Sequence, residues 1–215
     1  FVAAARRAEI AGFDGVQIHG GHGYLVAQFL SPELNTRSDR WGGSPANRAR
    51  FLLEILHRIR AACRPEFQIG IRISTERFGL VLPEMVDLAG QLFADGAMDY
   101  LDLSLWDITK QPEDAAFKGR TLLSLFTGLD RGTCALGVAG GIMTAARADW
   151  ALAEGADYVA IGKAGILAHD LPDRIRNNPH YTSPTLPVSP EYLRQEGVGD
   201  AFINYLRGQR GFVEG

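Results

Sequence analysis

Three stretches of the chain share one layout: Ala8–Ile18 (AEIAGFDGVQI), Phe93–Leu103 (FADGAMDYLDL) and Ala153–Ile161 (AEGADYVAI). Each reads as the last turn of a helix, a glycine just beyond it, an aspartate in the turn and then a short apolar strand. Glycine suits the position after a helix because the left-handed conformation carries no Cβ penalty there. The recurrence dictates helix–turn–strand units, and with them an α/β fold built on parallel strands. Asp14 and Asp157 belong to these turns and are assigned no catalytic role.

Five strands are predicted, over 14–18, 67–73, 99–103, 135–139 and 157–161. Helices fall between them. One spans 45–63, with Ser44 as N-cap and Pro45 in its first turn, and its Phe51, Leu52, Ile55, Leu56 and Ile59 recur at helical spacing. Others span 83–95, opened by Pro83, and 145–154, capped by Thr144. Phe1–Ala11 reads as the tail of a helix. The strands show no strict alternation, as expected where both faces of a sheet are covered. Five such units are too few to close an eight-stranded barrel. Residues 177–215 carry Pro179, Pro184, Pro187 and Pro190, then a short amphipathic stretch around Glu191–Leu206. They are expected to form an extension that packs on the main body or on a partner subunit.

A chain of 215 residues can bury a sizeable core. Its net charge of −3 gives no electrostatic case for nucleic acid or an anionic membrane. No apolar run is long enough to span a bilayer, and no secretory leader is visible, although the chain starts with Phe. Cys63 and Cys134 lie far apart and outside any C-x-x-C pattern, which argues against zinc or an iron–sulfur cluster. Two free thiols in a reducing cytoplasm are expected.

The chemistry concentrates in one 32-residue run, His19–Arg50, which follows the strand Gly15–Ile18. Two histidines and a tyrosine therefore sit past the carboxyl end of a strand, the edge that carries chemistry in α/β folds. A short His-x-x-His alone would read equally well as a polar loop capping backbone groups. The length of the run weighs against that. It resembles the Old Yellow Enzyme family of FMN-dependent ene-reductases, also called NADH:flavin oxidoreductases. The matching positions are His19, His22, Gly23, Tyr24, Leu25, Gln28, Phe29, Leu30, Ser31, Pro32, Asn35, Arg37, Asp39, Trp41, Gly42, Gly43, Ser44, Asn47, Arg48 and Arg50. The resemblance continues to about Asp173.

The resemblance implies a TIM-type (α/β)8 barrel, of which this chain covers about strands 4 to 8 over residues 1–176, with 177–215 as a C-terminal extension. Strands one to three would precede Phe1. It implies FMN as cofactor, NADH or NADPH as reductant and a small-molecule alkene as substrate. His19 and His22 would clamp the substrate carbonyl, and donors placed there stabilise the charge that develops as hydride arrives. A metal pair is the rival reading of the two histidines, and no clear third ligand accompanies them. Tyr24 would protonate the substrate α-carbon, since a phenol with pKa about 10 is a proton donor at neutral pH. On chemistry alone it reads equally as a loop aromatic packed on the rim.

Arg72 closes the strand Ile69–Ile73, where a charge is costly unless paired. The family places an arginine there against the flavin N1/O2 edge; a salt bridge to a rim carboxylate is the alternative. The turns Val138–Ile142, with Gly140 and Gly141, and Ala160–Ala164, with Gly162 and Lys163, suit a phosphate, because glycine lets backbone N–H groups approach an anion. The family usually has arginine where Lys163 stands, and lysine lacks the bidentate fork.

Ser104, Trp106, Asp107 and Lys110 follow the third strand and are candidates for the substrate mouth, although Trp106 fits a core position equally well. Lys118-Gly119-Arg120 reads as a solvated loop, with a dinucleotide-phosphate contact as the outside reading. Three classes of function remain open at this point: the FMN-dependent oxidoreductase, a non-catalytic barrel fragment or structural partner that can form a homo-oligomer, and another phosphate-binding barrel enzyme, such as an aldolase using Lys163.

Overall fold

The computed structural model describes residues 1–214. Helix α1 (Val2–Ile10) leads into β1 (Gly15–Gly20), α2 (Leu25–Leu30) and α3 (Pro45–Ala62). Then come β2 (Gln68–Ser74), α4 (Leu82–Asp95), β3 (Tyr100–Ser104), α5 (Leu122–Thr127), β4 (Ala135–Ala139), α6 (Ala145–Ala153) and β5 (Tyr158–Val159). The sheet is parallel throughout, in the order β1-β2-β3-β4-β5.

The turn glycines behave as their positions demand. Gly12, Gly96 and Gly155 all have positive φ, at 89°, 71° and 100°. The aspartates that follow in two of these turns bind the start of the preceding strand. Asp99 Oδ2 accepts from the Ile69 amide at 2.6 Å and from Arg60, and Asp157 Oδ2 accepts from the Leu136 amide at 2.7 Å and from Arg131. The expected caps are present: Ser44 accepts from the Asn47 amide and Thr144 from the Arg147 amide.

Three expectations need correction. First, β1 extends to Gly20, so His19 lies on the strand itself rather than past it. Second, β5 holds only two paired residues, because the ladder to β4 covers only Gly137↔Tyr158 and Val138↔Val159. Third, the strands do alternate. Ile69, Ile71, Ile73, Leu101, Leu103, Leu136 and Val138 are fully buried in the core under the helices. Gln17, Gln68, Tyr100, Asp102 and Tyr158 line the opposite, concave face of the sheet. That face is polar because it carries ionic and hydrogen-bonding groups, so only one side of the sheet is apolar.

Tight register marks the concave face. Gly70 lies opposite Tyr100 on β3, and Gly137 opposite Tyr158 on β5. A Cβ on either glycine would fall inside the facing tyrosine ring. Each ring therefore occupies the space that its neighbour's missing side chain leaves.

The remaining helices are α7 (Lys163–Leu167), α8 (Leu171–Asn177), α9 (Pro190–Gln195) and α10 (Asp200–Arg207). The amphipathic stretch at 191–206 is thus two helices, parted at Gly197 with φ 81°. Leu193, Ile203, Leu206 and Phe212 form a second small core with Leu167, packed against Met143 of the β4–α6 turn. Backbone bonds from Ala145 N to Tyr181 O and from Ser183 N to Met143 O join this segment to the sheet's carboxyl end. No helix among the described residues is long and apolar enough to cross a membrane.

Candidate functional site

The carboxyl ends of the five strands open onto a cleft of 570 Å³. His22, Arg72, Ser104 and Trp106 line one part of it, and Gly140, Gly141, Gly162 and Lys163 another. The structure thus gathers residues from the carboxyl ends of five strands and the turns that follow them.

The histidine turn is held from the neighbouring strand. Ser74, the last residue of β2, accepts from the His22 amide at 2.9 Å, and His22 takes a left-handed φ of 57°. This brings His22 Nδ1 within 3.3 Å of His19 Nε2. The Tyr24 ring lies 5.4 Å from the His19 ring, centroid to centroid, and is 63% exposed. Burial lowers the pKa of both imidazoles, and the Arg72 charge lowers it further. Both rings are therefore neutral at pH 7. A neutral pair shares one N–H between the rings and keeps one for a ligand.

Arg72 faces His19 across the β1–β2 ladder and Asp102 across the β2–β3 ladder. Its Nε donates to Ser104 Oγ at 2.6 Å and lies 3.5 Å from Asp102 Oδ2. So the arginine is both paired and on the cleft wall. Asp102 is 3% exposed, and its Oδ1 has no partner among the described residues. Burial raises its pKa, against the opposing pull of Arg72 and of Gln17, whose amide donates at 3.4 Å.

The other end of the cleft is built from backbone. The amides of Gly141, Gly162 and Lys163 have no protein acceptor among the described residues, and Lys163 is exposed beside them. Gly141 has φ 60°, and no heavy atom would contact a Cβ placed on Gly162. Open amides plus one ammonium suit an oxyanion such as the phosphate of FMN. Gly140 has a different reason to be glycine: a Cβ there would collide with the Trp106–Asp107 backbone.

Trp106 is not a core residue. It is 58% exposed, sits at φ 61° and lines the cleft. Asp107 instead organises its own turn, accepting from the Thr109 amide and hydroxyl at 2.8 and 2.7 Å and from Arg147. Burial pushes its pKa up, but these bonds win and leave it lowered. Lys110 is bonded to Glu76 and Glu113. Lys118, Gly119 and Arg120 are exposed, and Arg120 donates to Ser124 O.

Sequence reasoning missed Asp102, Gln17, Ser74 and the loop of residues 75–80. Gln17 and Asp102 alternate with buried Ile18 and Leu101, the two-residue period that exposes a polar face. The loop carries Arg77, Phe78 and Gly79 at φ 73°, 55° and 69° in succession. Its Phe78 ring meets the His22 ring edge-on at 6.5 Å, and the Arg77 guanidinium lies 4.9 Å from the Trp106 ring centroid.

Outside the cleft, His169, Asp170 and Glu196 come together, with Arg174 bonded to both carboxylates.

Comparison with known proteins points to one family. The NADH:flavin oxidoreductase / NADH oxidase family profile matches residues 1–180. The probable NADH-dependent flavin oxidoreductase YqiG of Bacillus subtilis is 38% identical over 170 residues, covering 76% of this chain and 45% of that protein. The 12-oxophytodienoate reductase 2 of Arabidopsis thaliana is 34% identical over 193 residues, covering 82% and 47%. Among solved structures, morphinone reductase in complex with tetrahydroNAD superposes with a TM-score of 0.67 at 32% identity, over 88% of this chain and 49% of that one. The chain thus spans about half the length of these relatives, and its five-stranded parallel sheet is a partial TIM-type barrel. The chain belongs to the NADH:flavin oxidoreductase / NADH oxidase family, the Old Yellow Enzyme group, whose cofactors are FMN and NADH or NADPH.

Proposed function

We propose that this chain supplies the catalytic half of an FMN-dependent oxidoreductase, one that takes reducing equivalents from NADH or NADPH and passes them to an activated alkene such as an α,β-unsaturated carbonyl. The observation that carries this reading is the single cleft shared by His22, Arg72, Gly140, Gly141, Gly162 and Lys163. Bound FMN supplies the hydride chemistry. Gly141, Gly162 and Lys163 would hold its phosphate through amides and an ammonium. Arg72, kept in place by Ser104 and Asp102, would face the part of the ring system that gains negative charge on reduction. His19 and His22 would form the clamp on the substrate carbonyl oxygen, the pair offering it the one N–H not shared between the rings, with Ser74 fixing the turn that aims them. Tyr24 would give its phenolic proton to the substrate α-carbon. Trp106 would form part of the substrate wall, and Asp107 would support it by ordering the turn. Residues 1–176 would form the barrel portion and 177–215 an extension that packs on its carboxyl end.

One observation favours a second reading, that of a fragment without catalysis of its own. The concave face is open, and Asp102 Oδ1 and Tyr158 OH lack partners there among the described residues. Absorbance after FMN loading and desalting separates the two. A retained band near about 450 nm, bleached anaerobically by NADH or NADPH, supports the enzyme reading. Retention only by a longer form carrying three further strands supports the fragment reading. No retention by either form overturns the enzyme reading.

A further inference from the structure

The loop of residues 75–80 is pinned on both flanks and crosses between two walls of the cleft. On one flank Ser31 donates its hydroxyl to Gly79 O at 2.9 Å, and a Cβ on Gly79 would collide with Ser31 and Glu33. On the other flank buried Glu76 bonds Lys110 and accepts from the Glu113 amide at 3.1 Å. Between these anchors, Phe78 packs on His22 and Arg77 packs on Trp106, and both of those partners line the cleft. The loop therefore delivers an arginine to the cleft mouth on a fixed base.

That arginine is uncommitted. Arg48, Arg72 and Arg147, the other arginines near the site, each have a carboxylate partner. Arg77 has no ion pair and no side-chain hydrogen bond among the described residues. The Glu113 carboxylate, which feels the Arg77 charge, is bonded to Lys110. A guanidinium held over an aromatic face keeps its in-plane N–H fork for a planar oxyanion. Arg77 is exposed, and successive left-handed residues at 77–79 place its guanidinium against the cleft tryptophan.

We propose that Arg77 and Trp106 form an anion-recognising subsite at the cleft mouth, selecting molecules that carry a carboxylate or phosphate some distance from the group that enters the cleft. The inference deepens the function proposed above and rests on it for the identity of the reacting group, while the binding itself needs no flavin. The oxyanion could belong to an unsaturated acid or to the reductant dinucleotide, and the test separates these sources.

The test uses the whole chain with Trp41→Phe and Trp150→Phe, so that Trp106 is the sole fluorescent tryptophan. Cinnamate and its uncharged analogue cinnamamide are titrated without FMN, followed by NADH and NADPH. Saturable quenching by cinnamate, with cinnamamide weaker by about tenfold, is expected for a carboxylate subsite. The preference should vanish in Arg77→Asn, which tolerates the left-handed backbone, and persist in part in Arg77→Lys. Response to the dinucleotides alone, lost in Arg77→Asn, assigns the subsite to the reductant. Equal response to acid and amide with no dinucleotide effect, an unchanged response in Arg77→Asn, or no saturable response at all overturns the proposal. Because no step reads flavin, failure of the flavin-retention experiment leaves this outcome independently interpretable.

Discussion

At the scale of single residues, the site sets groups against each other in measurable ways. Asp102 is held where burial disfavours its ionised form. Its folded pKa lies above the unfolded value of about 3.9. The stability linked to it is therefore whole below that pH and is lost as pH rises through the folded pKa. Asp102→Asn should unfold at a higher temperature than the parent at pH 7 and show no such gain near about pH 3. Calorimetry at the two pH values checks this; an equal or lower midpoint at pH 7 would show that the pairing with Arg72 dominates. The histidines run the other way. Their pKa values are depressed, so their contribution is present above the unfolded value of about 6.5 and fades as pH falls through the lower folded values. For Tyr24, the proposed proton donor, Tyr24→Phe in flavin-loaded protein should slow alkene-dependent reoxidation by about 100-fold or more and leave reduction by NAD(P)H unchanged. Stopped-flow absorbance reads the two half-reactions separately, and equal slowing of both would remove the assigned role.

At the scale of elements, the long motif at 19–50 is mostly scaffold. Arg48 is buried in α3, and its guanidinium bonds Leu30 O of α2, Gly43 O and Glu84 of α4. Asn35 Nδ2 donates to Phe29 O and Trp41 O, both at 2.7 Å. Arg48→Ala would strand Glu84 and two carbonyls, and it should cost about 3 kcal/mol or more by urea denaturation, with no direct contact to the cleft lost. A loss under about 1 kcal/mol would mean that the joint between the three helices is not held by this side chain. The elements also show what a sequence can reveal. Helices α3, α4 and α6 were legible, because each is long enough to show periodicity and two carry serine or threonine caps. The short helices α2, α5 and α7 were not, since five or six residues give little more than one turn of pattern. His19, His22 and Arg72 stood out by motif and by charge within an apolar strand. Asp102 and Ser74 did not, because their roles depend on which residues face each other across a ladder.

At the scale of the whole molecule, the sheet has two outer strands, β1 and β5, and a central trio. Outer strands present unpaired backbone groups, and local opening is easiest there. Amide exchange of the isolated chain should therefore be fastest at Val16–Gly20 and at Val159–Ile161, and slowest at Ile71, Leu101, Leu103 and Val138. Mass spectrometry of exchanged peptides tests this, and slow exchange at both outer strands would show that something covers them in solution. The cleft is affected unequally: His19 lies on an outer strand, whereas Arg72 and Ser104 lie on the central trio.

The matched glycines and tyrosines on the concave face also limit how such a chain can be recombined. Gly70 and Tyr100 sit on different βα units, as do Gly137 and Tyr158. Each couple works like a tongue and a slot that must be inherited together. A chimaera joined between β3 and β4 leaves both couples intact. One joined between β2 and β3 can set Tyr100 against a strand whose facing residue already carries a side chain. A family that trades barrel segments is thus expected to keep some seams and discard others, according to where a ring has borrowed its neighbour's empty space.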